Sequence, residues 1–421
     1  MNLAKINSLK DIDKYLIYFM FLEMLFLRWI LIGQDKIILY LCIILVLRMI
    51  FHRNAMVILK NKLYLLLLLI GYILLNSFSR SGFTNDKFLV NLNYLIPPLI
   101  VIVYFGYIIA QRLSLVETCF LKLRVPLNIY YIINFFVILE QRGETYFLMP
   151  VDRIRHMYYP DHMAGLLGID GTHRLALVTV FVILVNMYYT ISKKCSRQKQ
   201  VLTIIYIIIT IITAFYTSAL NDNNMVYLLI PIFIFLFYML DKNNTRNKWF
   251  KVFAALLFSC ITLYIVANSS LLTETLGSRI GSVIKNIFTI FNSSEIKEER
   301  AIYVLYSLVQ LNGWFIGQGF GTVQIRLDPS ITALGYDYRN WGMSDIASLI
   351  AIGGLIFYIA IVLIYSNLIS HKRESRRIKK YVMVIMFLLT YYHQVFTHVT
   401  MMIPMCWIIA LFVLQQKEKT Q

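Results

Sequence analysis

Apolar runs long enough to cross a bilayer recur from Tyr15 to near the C-terminal end of this chain, and they constrain its fold more than any other feature. A helical span of the hydrocarbon core takes roughly 17–25 such residues. Twelve runs can be placed, at about 15–32, 36–50, 63–78, 92–110, 127–140, 173–190, 201–219, 225–240, 250–267, 345–369, 381–396 and 400–414. The second and fifth are short for a straight crossing, so flanking residues extend them or the bilayer thins around them. The pattern predicts an all-α polytopic membrane protein of about twelve helices, forming a single integral membrane domain over 1–421.

Hydrophobic residues make up 59% of the chain and charged residues 15%, which leaves no soluble domain of ordinary size. The lysine-bearing leader (Lys5, Lys10, Lys14) precedes a run that carries Glu23 and Arg28 and is followed by no small-residue cleavage site. It reads as a first span, not a signal peptide. Five scattered cysteines, without C-x-x-C or Cys/His spacing, predict neither disulfides nor a metal site.

The net charge of +18 suggests nucleic acid until its distribution is considered. Basic residues sit in short clusters between spans, not on one basic face, so no nucleic-acid partner is expected. Clusters such as Lys193, Lys194, Arg197 and Lys199, or Lys372, Arg373, Arg376 and Arg377, alternate with loops holding only Lys36, Arg80 and Lys87. By the positive-inside rule both termini are cytoplasmic. Two longer loops then lie outside, at 141–172 and 268–343. The second contains Arg279, Lys285, Lys297, Arg300, Arg326, Arg339 and the glycine turn Gly317-Gln318-Gly319-Phe320-Gly321. Within it, apolar residues at helical spacing from Ile280 to Phe291 predict an interfacial helix, and a second helix is expected from Glu298 toward Leu311.

Several clusters can carry chemistry. His162 and the sequence Asp170-Gly171-Thr172-His173-Arg174 precede or open the sixth span, where a cation at a helix N-terminus is unfavourable unless both converge on an anion such as phosphate. An Asp170–Arg174 pair one turn apart is the plainer reading. Asn221-Asp222-Asn223-Asn224 joins the seventh and eighth spans, either as a cap and turn or as the lining of a sugar cavity. Arg300, with Tyr303 and Tyr306 on about the same side, can hold a phosphate bidentately beside stacked sugars, or form a solvated pair with Glu298 and Glu299. Asp345, after Asp337 and Arg339, is a helix cap or an acidic group. There is no nucleotide-binding loop, metal-binding Asp pair, G-x-S-x-G or H-E-x-x-H, so no cofactor or metal is expected.

About twelve spans, a late external loop, Arg300 followed by aromatics and the turn to Gly321, then Ser344-Asp345-Ile346 and Gly353-Gly354-Leu355, resemble the bacterial O-antigen and capsular polysaccharide polymerases, the Wzy family. Arg326 and Gly342 fit an R-x15-G spacing, whereas Arg153 and Arg155 fit no R-x10-G. The resemblance implies a GT-C-like, metal-independent glycosyltransferase of the bacterial inner or cytoplasmic membrane. It would pass a growing glycan from undecaprenyl pyrophosphate to a lipid-linked repeat unit, alongside a Wzz-type chain-length regulator. Under it Arg300, Arg174 and Asp222 are catalytic, and Arg279, Arg326, Arg339, His173, His162, Asn221, Asn224, Tyr303 and Asp345 bind substrate. Related ligases carry a histidine before the penultimate span, which this chain lacks between His173 and His371. A lipid-linked oligosaccharide flippase is the alternative, and a secondary transporter a third reading. The long polar loop, beyond the usual length of a connection, favours the polymerase.

Overall fold

A computed structural model describes residues 3–26, 34–80, 86–142, 163–168, 171–192, 196–221, 223, 226–239, 315–325, 344–369 and 376–417. Among the described residues every regular element is helical. The helices are α1 (Leu3–Leu25), α2 (Gln34–Phe51), α3 (Arg53–Arg80), α4 (Asp86–Gln111), α5 (Leu113–Arg142), α6 (Thr172–Ile191), α7 (Arg197–Leu220), α8 (Val226–Met239), α9 (Asp345–Ile369), α10 (Arg376–Tyr392) and α11 (Val399–Lys417). Seven of them are long and apolar enough to cross a membrane: the Lys62–Arg80 part of α3, α4, α5, α6, α7, α9 and the Val399–Gln416 part of α11. Ile37–Phe51 and Leu229–Met239 are shorter apolar helices. The expected span at 250–267 and both helices expected within 268–343 lie outside the described residues.

The chain divides into two compact units, Met1–Ile32 with Leu113–Thr289 and Trp407–Gln421, and Gly33–Arg112 with Ile290–Cys406. In the first, α6 is central: 78% of its apolar window is buried, against 28% for α7, and it packs on α5, α7 and α8. The ring of Phe21 stacks on Trp407 at 4.8 Å, with Phe120 and Phe181 edge-on or tilted around them. Helix α7 explains its own low burial: Leu202, Ile205, Ile208, Ile209 and Ile212 point outward, while Thr203, Thr210 and Thr217 turn inward at seven-residue spacing. A helix with an apolar outer stripe and a hydroxyl-bearing inner one suits lipid outside and protein inside. In the second unit α9 is central, packed on α3, α4 and α10.

Three elements differ from the hydropathy reading. The fifth span is not short, because α5 runs back through Pro126, Arg124 and Lys122 to Leu113. Its charge is tolerated because the Arg124 guanidinium lies 3.8 Å over the Tyr189 ring and within 3.4 Å of Asn186 and Thr203 oxygens. The leader before Tyr15 is helical, since α1 begins at Leu3. Helix α9 is not continuous: Gly354 has φ +79° and ψ 174°, which breaks the helix about nine residues in.

Candidate functional site

Each unit builds a polar centre of its own. In the first, the segment 163–168 folds back onto α5. Gly165 and Gly168 take positive φ (63° and 83°), and the Gly165 and Leu166 N–H groups donate to Gln141 Oε1 (2.9 Å) and Asn134 Oδ1 (2.6 Å). A Cβ on Gly165 would lie 2.3 Å from Asn134 Oδ1, so only glycine fits. The α7–α8 junction ties down the same stretch. Asn221 Nδ2 donates to the Met163 carbonyl (3.0 Å) and Asn223 Nδ2 to that of Thr172 (2.7 Å), while the Ser218 hydroxyl donates to the Asn223 carbonyl. Both asparagines therefore brace backbone, the turn-forming role that the sequence leaves open for them.

Arg174 is 2% exposed. Its Nη1 donates to the Met24 carbonyl at 3.4 Å, and the Tyr130 hydroxyl donates to that of Leu25 at 2.9 Å. Met24 and Leu25 close α1, whose last carbonyls have no intrahelical donors. The cation that is unfavourable at the start of α6 thus lies at the negative end of another helix dipole, where it is stabilising. His173, beside it, is only partly buried.

The second unit is organised around the break in α9. The glycine turn, Phe315–Ile325, lays its backbone along the break: Gln318 and Gly319 N–H donate to the carbonyls of Ala351 and Ile352 (both 2.9 Å), and Ile356 N–H donates to that of Phe315 (3.3 Å). From α3, the Tyr72 hydroxyl donates to the Gly353 carbonyl (2.6 Å) and Asn76 Nδ2 to that of Ile316 (2.7 Å). From α4, Asn91 Nδ2 donates to the carbonyls of Phe320 (2.8 Å) and Val323 (2.7 Å), and its Oδ1 accepts the Ile325 N–H (2.8 Å). Phe357 anchors the turn between the rings of Phe320 (5.1 Å) and Tyr72 (5.6 Å). Non-helical backbone in an apolar setting needs this kind of internal satisfaction. The glycines are required by distance as well as by φ: a Cβ on Gly317 would lie 2.4 Å from Gly354 N, and one on Gly354 would lie 2.3 Å from Phe315 O.

Asp345 opens α9 and is fully buried. Its carboxylate accepts the Val395 and Phe396 N–H groups and the Thr397 hydroxyl (2.6 Å), so it fixes the connection between α10 and α11. Hydropathy alone extends one span to 396, which absorbs His393 and shortens this connection to 397–399. Asn76, Asn91 and Asn134 have one sequence signal, amides inside or beside apolar runs, whereas Gln141, between Glu140 and Arg142, has none. Among the described residues no cluster of His, Cys, Asp or Glu could hold a metal ion. His162, Asp222, Asn224, Arg279, Arg300, Tyr303, Arg326 and Arg339, with Arg153 and Arg155, lie outside the described residues.

Compared with protein-family models, curated proteins and solved structures, the chain matches none.

Proposed function

We propose that this chain is a polysaccharide polymerase of the bacterial cytoplasmic membrane, a GT-C-like glycosyltransferase with both termini cytoplasmic. It transfers a growing glycan from undecaprenyl pyrophosphate to a lipid-linked repeat unit outside the cytoplasm. The observation that carries this reading is the docking of Phe315–Ile325 on the break at Gly354. The glycine turn and Gly353-Gly354, on which the resemblance to the Wzy family rests, lie far apart in sequence and form one interlocked element. The described part of that loop, Phe315–Ile325, is held within the second unit, which supports a loop with a working role over a mere connection.

The leaving pyrophosphate is already activated, so the reaction asks for placement of two lipid-linked sugars and stabilisation of developing negative charge. Arg300 supplies that charge without a metal, Asp222 assists, and the remaining loop arginines hold substrate, while the buried Arg174 ties α6 to the end of α1. A Wzz-type regulator is the partner this reading expects.

The flippase reading gains one observation, the discontinuous α9, since broken helices mark substrate sites in transporters. Against it, the carbonyls and N–H groups at the break are engaged by the glycine turn, not presented to a substrate.

The deciding experiment is the size-separated glycan profile of a deletion strain. Single repeat units on the outer face without a ladder support the polymerase; lipid-linked units held on the cytoplasmic face support the flippase and remove the catalytic assignments. Complementation with Arg300→Ala is expected to leave single units at an unchanged membrane level, whereas Arg174→Ala is expected to lower that level.

A further inference from the structure

We propose that Arg124 holds the phosphate of an anionic phospholipid at the end of the first unit where α6 closes and α7 begins. The guanidinium of this α5 residue covers the Tyr189 ring of α6 at 3.8 Å, and its Nη1 donates to Asn186 Oδ1 and Thr203 Oγ1, each at 3.4 Å. Asn186 is fixed in turn by reciprocal hydrogen bonds with Asn128 (2.8 and 3.2 Å). The cation is thus oriented, yet every one of these partners is neutral. Helices α6 and α7 carry no acidic residue, and on α5 Glu117 stands two turns earlier, where it accepts the Tyr188 hydroxyl (3.0 Å). A charge among apolar helices is costly without a counter-charge. Arg124 is half-buried, and among the described residues its Nε and Nη2 donate to no protein atom and are not sealed in the interior. Those two nitrogens form the fork that holds a phosphate with two parallel hydrogen bonds.

The same two helices offer a seat for the tail. Arg124 meets Thr203, the Asn128 carbonyl accepts the Tyr206 hydroxyl (3.2 Å), and the Tyr131 hydroxyl donates to the Thr210 carbonyl (3.2 Å). The paired positions climb together, so α5 and α7 run parallel side by side. Val125 and Ile129 of α5 and Leu202, Ile205 and Ile209 of α7 are exposed, an apolar surface that continues away from the guanidinium. A small soluble anion would neutralise Arg124 and leave that surface bare; a phospholipid covers both. Lys122, Arg197 and Lys199 are exposed at the same end, and Lys199 lies one turn before Thr203, whose hydroxyl donates to its carbonyl (2.7 Å). This excess of cations favours a headgroup of net negative charge over a zwitterionic one.

The test follows thermal unfolding of the full-length protein in nonionic detergent at rising amounts of phosphatidylglycerol, phosphatidylcholine or inorganic phosphate, since a ligand of the folded state raises the midpoint with its concentration. Phosphatidylglycerol is expected to raise the midpoint of the wild type more than either of the others. Arg124→Gln is expected to weaken the apparent affinity for phosphatidylglycerol about tenfold, the loss of one charge-assisted pair. Lys60→Gln removes an exposed lysine of α3, in the second unit, and is expected to leave that affinity unchanged. If Arg124→Gln fails to fold, Arg124→Lys, which keeps the charge but lacks the fork, is titrated in its place and is expected to bind more weakly than the wild type. An equal response to phosphatidylglycerol and phosphatidylcholine overturns the inference, as does an equal response to inorganic phosphate. So does an Arg124 variant that binds phosphatidylglycerol no more weakly than Lys60→Gln.

Discussion

Two glycines with opposite surroundings separate conformational need from mere tolerance. At Gly354 a side chain meets both a positive φ and the Phe315 carbonyl 2.3 Å away. Left-handed backbone alone costs a non-glycine residue roughly 1–2 kcal/mol, and the clash adds to it. At Gly71, inside α3, an added Cβ meets nothing within 4 Å, so alanine there reduces the flexibility of the unfolded chain and gains roughly 0.5–1 kcal/mol. Thermal unfolding in detergent is expected to show Gly354→Ala destabilised by more than about 1–2 kcal/mol and Gly71→Ala unchanged or stabilised. Equal effects would remove the turn-on-break account. Arginine 174 illustrates the limits of reading single residues. The sequence shows a cation at a helix start and demands a negative partner; that the partner is the carbonyl end of α1 depends on a tertiary contact 150 positions away.

Among elements, the glycine turn and the break in α9 behave as one. If Gly317→Ala lifts the turn away, the Phe315 carbonyl no longer crowds position 354, and a second substitution there costs less. The double variant is therefore expected to lose less stability than the sum of the singles, by roughly 0.5–3 kcal/mol, the range for residues in contact; strict additivity would separate the two glycines. Element positions were largely legible, because apolar runs of membrane length have few alternatives: α6 and α9 begin within one residue of their expected starts. What failed to show was whatever hydropathy averages over. Pro126 and Arg124 lowered the local score and cut α5 short on paper, although a ring and two oxygens satisfy the arginine in the fold. The break at Gly354 sits in a uniformly apolar run, and residues 393–396 were absorbed into a span, since the carboxylate that holds that connection lies about fifty positions earlier.

For the molecule as a whole, the distribution of basic residues makes a topological statement that the break in α9 puts to the test. With α9 crossing, cysteines introduced at Gly342 and Glu374 label from opposite faces of the membrane with an impermeant thiol reagent. The native thiols of Cys42, Cys119 and Cys406 are buried, and Cys195 and Cys260 are first replaced by serine so that the introduced sites report alone. Labelling of both introduced sites from one face would make α9 a re-entrant pair of half-helices and would reverse everything C-terminal to it. The candidate site was legible only as clusters: the glycine motifs named the turn and the break that dock on each other in the second unit, while the side chains that hold them come from α3 and α4.

The interlock also sets an order of events on the ribosome. Tyr72, Asn76 and Asn91 are synthesised first, and the glycine turn follows. The carbonyls of Ala351 and Ile352 emerge 33 positions after the N–H groups of Gln318 and Gly319 that they receive. The second unit closes only with the first half of α11, which reaches Cys406. During that interval a polar stretch of backbone waits in a nascent membrane protein without its partner. The turn is therefore expected to take its final place only after α9 has been made, so truncation before Ala351 leaves it unformed.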